Sequence, residues 1–109
     1  MGMTMTEKIL ASHAGLDQVR PGQLIEADVD IALANDITLP LALKPFKEAG
    51  GAQVFDREKV VVVMDHFNPA QNIDSAMMHL KSREFAEEMQ LVNFFDVGSM
   101  GIEHALLPE

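Results

Sequence analysis

Five consecutive apolar residues, Val60-Val61-Val62-Val63-Met64, run through the middle of the chain without a polar interruption. β-Branched side chains suit extended backbone, and in a strand successive side chains point to opposite faces. A strand with no polar alternation is therefore covered on both faces. That is the habit of parallel sheets flanked by helices.

The sequence around this run supplies the rest of the layers. Thr4 followed by Glu7 has the spacing of a capping box and predicts a short helix over 5–13, closed by Gly15. Pro21-Gly22 marks a turn, after which Leu24–Ala27 and Val29–Leu33 read as short strands or one bent strand. Thr38 is placed to cap a helix with Pro40 in its first turn and Leu41, Leu43 and Phe46 on its apolar stripe. Pro45 should kink or break it. After the Asn68-Pro69 turn, a long helix is expected from Ile73 to Met89, with Ala76, Met77, Leu80, Phe85 and Met89 turned to the core. Phe94–Val97 is a further strand, ending at Gly98.

Strands alternating with helices imply an α/β fold: a layered, mainly parallel sheet flanked by helices. All linkers are short, there is no repeat, and 109 residues fit one α/β domain over 1–109. A net charge of −9 repels phosphate backbones and anionic lipid, which speaks against nucleic-acid or membrane partners. The start has no basic segment leading into an apolar one, and a cytoplasmic location is expected. The chain contains no Cys, so thiolate metal sites, disulfides and thiol nucleophiles are excluded, and its four His have no zinc-site spacing. The eight Met read as core filling rather than a binding face.

In open parallel sheets, ligands bind beyond the carboxyl ends of the strands. Three polar clusters fall at such ends: Asn35-Asp36, Asp65-His66, and the loop from Gly98 to His104. In the second, a carboxylate adjoins an imidazole. Such a neighbour raises the imidazole pKa and holds more of it protonated at neutral pH, as a general acid requires. The alternative is that His66 caps a helix or bonds a carbonyl. His13 reads as a favourable charge at a helix end, and His79, between Met78 and Leu80, as a surface or core-edge residue.

Four stretches then combine: Thr6-Glu7-Lys8-Ile9-Leu10, Leu33-Ala34-Asn35-Asp36-Ile37-Thr38, Val63-Met64-Asp65-His66-Phe67, and Gly98-Ser99-Met100-Gly101-Ile102-Glu103-His104. In order and spacing they resemble the aconitase superfamily along nearly all of the chain. The resemblance is strongest to the N-terminal region of the dehydratases that act on isopropylmalate, in leucine biosynthesis, or on homocitrate and dimethylmalate. It departs from the pattern at Ser99, where relatives usually carry a basic residue, and over Asn68–Asn72, where theirs is more basic.

The resemblance implies a hydro-lyase that isomerises a small hydroxy-acid by dehydration and rehydration, using a 4Fe-4S cluster as Lewis acid. Asp65 and His66 match the family's Asp-His pair beside the leaving hydroxyl, and His104 matches a histidine paired with a carboxylate from later sequence. Asn35 matches a substrate contact. The family's cluster cysteines, serine base and most substrate-binding arginines lie later in the large subunit or in the small subunit. The expectation is thus an N-terminal segment that binds no metal or cluster and is inactive alone. Its partners would be the rest of a large subunit, a small subunit and, through uncovered apolar surface, further copies of itself. The alternative from another class is a stand-alone, non-catalytic binding or assembly module with the same fold.

Overall fold

The computed structural model describes residues 2–109, which divide into two compact units, the first ending at Asp30 and the second spanning Ile31–Glu109. Among the described residues, no helix is long and apolar enough to cross a membrane.

In the first unit, helix α1 spans Met5–Ala14. Its capping box closes as the sequence implies: Glu7 N–H donates to Thr4 Oγ1 at 3.2 Å, and Thr4 N–H donates to Glu7 Oε2 at 2.7 Å. Both otherwise orphaned donors of the first turn are satisfied locally. Gly15 ends the helix with a φ of 65°, a left-handed conformation in which a side chain would be strained. His13, in the last turn, lies 2.6 Å from Asp30 Oδ2 through Nε2 and 2.9 Å from the Ile9 carbonyl through Nδ1.

The strands expected over 24–27 and at the start of 29–33 do not form. A strand needs a ladder partner, and among the described residues none flanks this stretch. Leu24 is 98% exposed, and Asp28 N–H bonds instead to the His13 carbonyl at 2.9 Å. Apolar composition alone cannot make a strand where no neighbour takes up the backbone hydrogen bonds.

The second unit is a three-stranded parallel sheet with helices between the strands. Strand β1 spans Ala32–Asn35, helix α2 Thr38–Glu48, strand β2 Val60–Val63, helix α3 Ile73–Glu88, strand β3 Asn93–Phe95 and the short helix α4 Glu103–Leu106. The order is β1-β2-β3, with Ala32 facing Val60 across the first pair and Val61 facing Asn93 across the second. The valine run is therefore the central strand, and every residue of it is buried.

Its two faces have different cover. Val60, Val62 and Met64 pack with Leu39 of α2 and Phe85 of α3, supported by Leu43, Phe46 and Phe94. Phe46 and Phe85 meet edge to face at 5.9 Å, so both helices lie on this side of the sheet. That agrees with the shared hand of successive parallel crossovers, which puts both connecting helices on one face when the strand order runs in one direction. On the opposite face, Val61, Val63 and Phe95 line a recess of about 260 Å³ with Leu106 and Leu107.

Helix ends explain the remaining differences from expectation. Helix α2 continues past Pro45 to Glu48: the hydrogen bond that the proline ring removes would go to the carbonyl of Leu41, which is exposed to solvent. Thr38 is its first helical residue rather than its cap. The cap position is Ile37, which has no capping side chain, and Asn35 Oδ1 instead accepts the N–H groups of Ile37 and Thr38, both at 2.9 Å.

In α3 the inward face differs from the one expected. Ser75, His79, Ser82, Phe85 and Ala86 are buried, whereas Ala76, Met77 and Leu80 face outward. The buried positions recur at helical spacing and are mostly small, which lets α3 lie close to its neighbours. Asn72 starts the helix by accepting Ser75 N–H at 2.9 Å. Strand β3 begins one residue earlier than expected. It stops before Asp96, whose carbonyl accepts the N–H groups of Ser99 and Met100 at 3.0 and 2.9 Å and so turns the chain.

Candidate active site

The carboxyl ends of all three parallel strands lie at one edge of the sheet, so the residues just after them converge. Asn35 and Asp36 follow β1, Asp65 and His66 follow β2, and the loop after β3 leads into Glu103 and His104 at α4. One hydrogen-bonded network links these ends.

Asp65 uses both carboxylate oxygens. Oδ1 lies 2.7 Å from His66 Nδ1, and Oδ2 accepts the Glu103 N–H at 2.8 Å. Burial works against the charged form of Asp65, but the Glu103 N–H and the His66 imidazole outweigh it and hold the carboxyl below its ordinary value. The hydrogen bond to Asp65 raises the His66 pKa against a smaller opposing effect of burial, and the charges of Asp65, Asp36 and Glu103 add to it. The His66 side chain is 40% exposed, and Nε2 makes no hydrogen bond among the described residues. Nδ1 is thus anchored and Nε2 is left unbonded among the described residues, the arrangement a proton donor needs.

Asp36 lies beneath this pair and is fully buried. Its Oδ1 accepts the His66 N–H at 3.0 Å, and its Oδ2 accepts the Phe67 N–H at 2.7 Å. His79, 3% exposed, reaches the same Oδ2 through Nε2 at 2.9 Å. The backbone after β2 is therefore held from inside the core, by one residue from the end of β1 and one from the middle of α3.

Asn35 and His104 occupy other places in the network. Asn35 Oδ1 is committed to the start of α2, while its Nδ2 donates to Glu103 Oε1 at 3.3 Å. One amide hydrogen of Nδ2 is left over from that contact. His104 Nε2 lies 3.3 Å from the same Glu103 oxygen, with its side chain 82% exposed. No contact joins His104 to His66 directly; Glu103 connects them. The structure thus joins Asp65 and His66 directly, links Asn35 to them through Glu103, and leaves His104 exposed at the rim.

Three members of this network were not among the site residues expected from the sequence: Asp36, Glu103, and His79, which was expected at the surface or core edge and is instead buried. Asp36 was visible as a polar residue at a strand end. His79 shares helical spacing with Ser75 and Ser82, but the more apolar Met77 and Leu80 argued for the opposite face, and its partner Asp36 lies 43 residues away.

Asp36, Asp65 and His66 offer oxygen and nitrogen atoms within 4.8 Å of one another, the only such triad among the described residues. Both Asp36 oxygens already accept N–H groups and Asp65 is bonded on both sides, so the geometry is that of a hydrogen-bonded relay. Iron–sulfur clusters are held by cysteine thiolates. With no Cys in the sequence, the residues of this chain do not fit one.

No family model matches the chain. Curated relatives do, along all 109 residues: it is 61% identical to the 3-isopropylmalate dehydratase large subunits of Acetivibrio thermocellus and Moorella thermoacetica. It is 57% identical to that of Syntrophus aciditrophicus. In each case the match takes in all of this chain and 26% of the relative. The chain is thus related over its whole length to 3-isopropylmalate dehydratase large subunits, of which it spans about a quarter.

Proposed function

We propose that this chain is the N-terminal segment of a 3-isopropylmalate dehydratase-type hydro-lyase in leucine biosynthesis, and that it contributes the proton donor to the leaving hydroxyl. The observation that carries this reading is the Asp65–His66 contact of 2.7 Å at the carboxyl end of the central strand. The similarity of all 109 residues to a quarter of the length of large subunits of that name supports it.

In this role Asp65 keeps the Nδ1 proton on its own side of the ring, and His66 gives its Nε2 proton to the hydroxyl oxygen as the C–O bond breaks. Water leaves, and the imidazole remains neutral with Nδ1 still bonded to Asp65. On rehydration the same nitrogen takes a proton back. Asn35 offers its remaining amide hydrogen to the substrate, and His104 stands at the rim to pair with groups from elsewhere. The base that removes the carbon-bound proton and the iron–sulfur cluster implied by the resemblance belong to other parts of the assembly. These are the rest of the large subunit and a small subunit, in the cytoplasm. On this reading the isolated chain does not turn over substrate.

The test is dehydration of 3-isopropylmalate by a complete large subunit carrying this segment, paired with its small subunit. His66→Ala should lower kcat by about 10²–10⁴-fold, the usual worth of a general acid, with little change in KM. Turnover within about threefold of the parent, on the scale of that same principle, would remove His66 from the chemistry.

A further inference from the structure

The most deeply buried polar contacts of the second unit lie beneath the candidate acid rather than at the acid itself. Asp36 is fully buried and His79 nearly so; Asp36 follows β1 and His79 lies in α3, whereas His66 follows β2. A buried carboxylate is costly unless its oxygens are hydrogen-bonded. Asp36 has three donors: the N–H groups of His66 and Phe67 and the imidazole of His79. No buried side-chain polar atom among the described residues lacks a partner.

We propose that Asp36 and His79 are positioning residues for the Asp65–His66 acid, with Asp36 clamping the backbone of His66 and Phe67 and His79 fixing Asp36 from the middle of α3. The arrangement rests on the general-acid reading of His66 for its purpose, but its geometry can be examined without turnover. The clamp acts on the two peptide N–H groups that begin the segment after β2. It sets where the His66 Cα stands and hence whether Nδ1 can meet Asp65 Oδ1. A side chain at a loop without such an anchor samples several rotamers; here the backbone on which the imidazole is mounted is fixed from below. The same clamp also explains why α3 turns Ser75, His79 and Ser82 inward and leaves Met77 and Leu80 outside. Small neighbours at i−4 and i+3 let the helix approach closely enough for His79 to reach Asp36.

The experiment is amide hydrogen exchange, read residue by residue by NMR, on this chain and two variants. His79→Gln keeps an N–H donor near Asp36, while His79→Leu keeps bulk and removes the donor. Exchange at His66 and Phe67 should rise on the order of tenfold in the leucine variant, the size expected for losing one buried hydrogen bond. It should return towards the parent rate in the glutamine variant. The amides of Val61, Val62 and Val63 serve as the internal control and should keep their parent protection in both variants. Equal exchange at His66 and Phe67 in the two variants would overturn the proposal. So would a uniform rise that includes β2, which would make His79 a general core residue. Loss of turnover in the His66→Ala enzyme tests the chemistry separately, so failure of one reading is not mistaken for failure of the other.

Discussion

Asp65 Oδ2 accepts the Glu103 N–H at 2.8 Å, so the carboxylate that holds His66 is itself held from the first residue of α4. The contact joins the segment after the central strand to the segment after the edge strand, 38 residues on. Because the other Asp65 oxygen faces Nδ1 of His66, neither oxygen is free to rotate away without breaking a bond. Glu103 is therefore more than a neighbour of His104. Its N–H orients Asp65, while its carboxylate gathers Asn35 and His104, so one residue joins these three.

This arrangement fixes how stability should vary with pH. The folded state raises His66 above 6.5, so His66 contributes fully below that value, and the contribution is lost as pH rises through the higher folded value. The folded state lowers Asp65 below 3.8, so its contribution is present above that value and is lost as pH falls through the lower folded value. Urea midpoints followed by circular dichroism should form a plateau between these limits and decline on either side. His13, raised by its hydrogen bond to Asp30, adds to the alkaline decline. In His66→Gln that alkaline decline should become shallower; an identical curve would show that His66 is not linked to folding.

Replacing Asp65 by Asn tests the source of the His66 shift. An amide has one acceptor oxygen, so it can satisfy either His66 Nδ1–H or Glu103 N–H, and it presents its own N–H₂ to the other. The His66 midpoint measured by NMR should fall towards 6.5. Stability should drop by about 1–3 kcal/mol, the cost of leaving a largely buried donor unpaired. An unchanged midpoint would mean that Asp65 does not govern the imidazole.

Much of this was legible in the sequence because it depends on local pattern. Four β-branched residues in a row specify the central strand, and Thr4 with Glu7 specifies the start of α1. The Asp65-His66 contact was legible because its partners are adjacent. What escaped was whatever depends on a distant partner. Residues 24–27 are as apolar as a strand, but only a neighbouring ladder makes a strand, and none is present. Met77 and Leu80 are more apolar than Ser75 and His79, yet the tertiary requirement for close approach and for a donor to Asp36 turned the polar face inward. Asp36 and His79 stand 43 residues apart, a separation no periodicity reveals.

Exposed apolar side chains cluster in the loop beside the site, where Val97, Met100 and Ile102 all reach solvent. The chain spans 26% of its relatives' length, and we expect such residues to be covered by other chain in a complete subunit. The isolated chain should therefore self-associate, and sedimentation velocity should show an average mass that rises with concentration. Replacing Val97 and Ile102 together by Ser should reduce that rise. A constant monomer mass across a wide concentration range in the parent would remove the expectation.

Met64 is the position where fold and site are most directly coupled. It is fully buried, packs with Val62, Leu39 and Phe85, and immediately precedes Asp65. Its N–H donates to the Phe95 carbonyl at 2.9 Å, extending the β2–β3 ladder by one bond, and its carbonyl accepts Asn68 Nδ2 at 3.1 Å. Met64→Ala leaves those backbone groups in place and removes only the side chain beneath the site. The lost transfer energy and the cavity should together cost about 2–5 kcal/mol, read as a lower urea midpoint with an unchanged slope. Because the ladder bond persists, the surviving folded molecules should keep the raised His66 midpoint. A fall in that midpoint alongside stability would show that packing under β2, and not the hydrogen bonds from Asp65 and Asp36, sets the geometry of the imidazole.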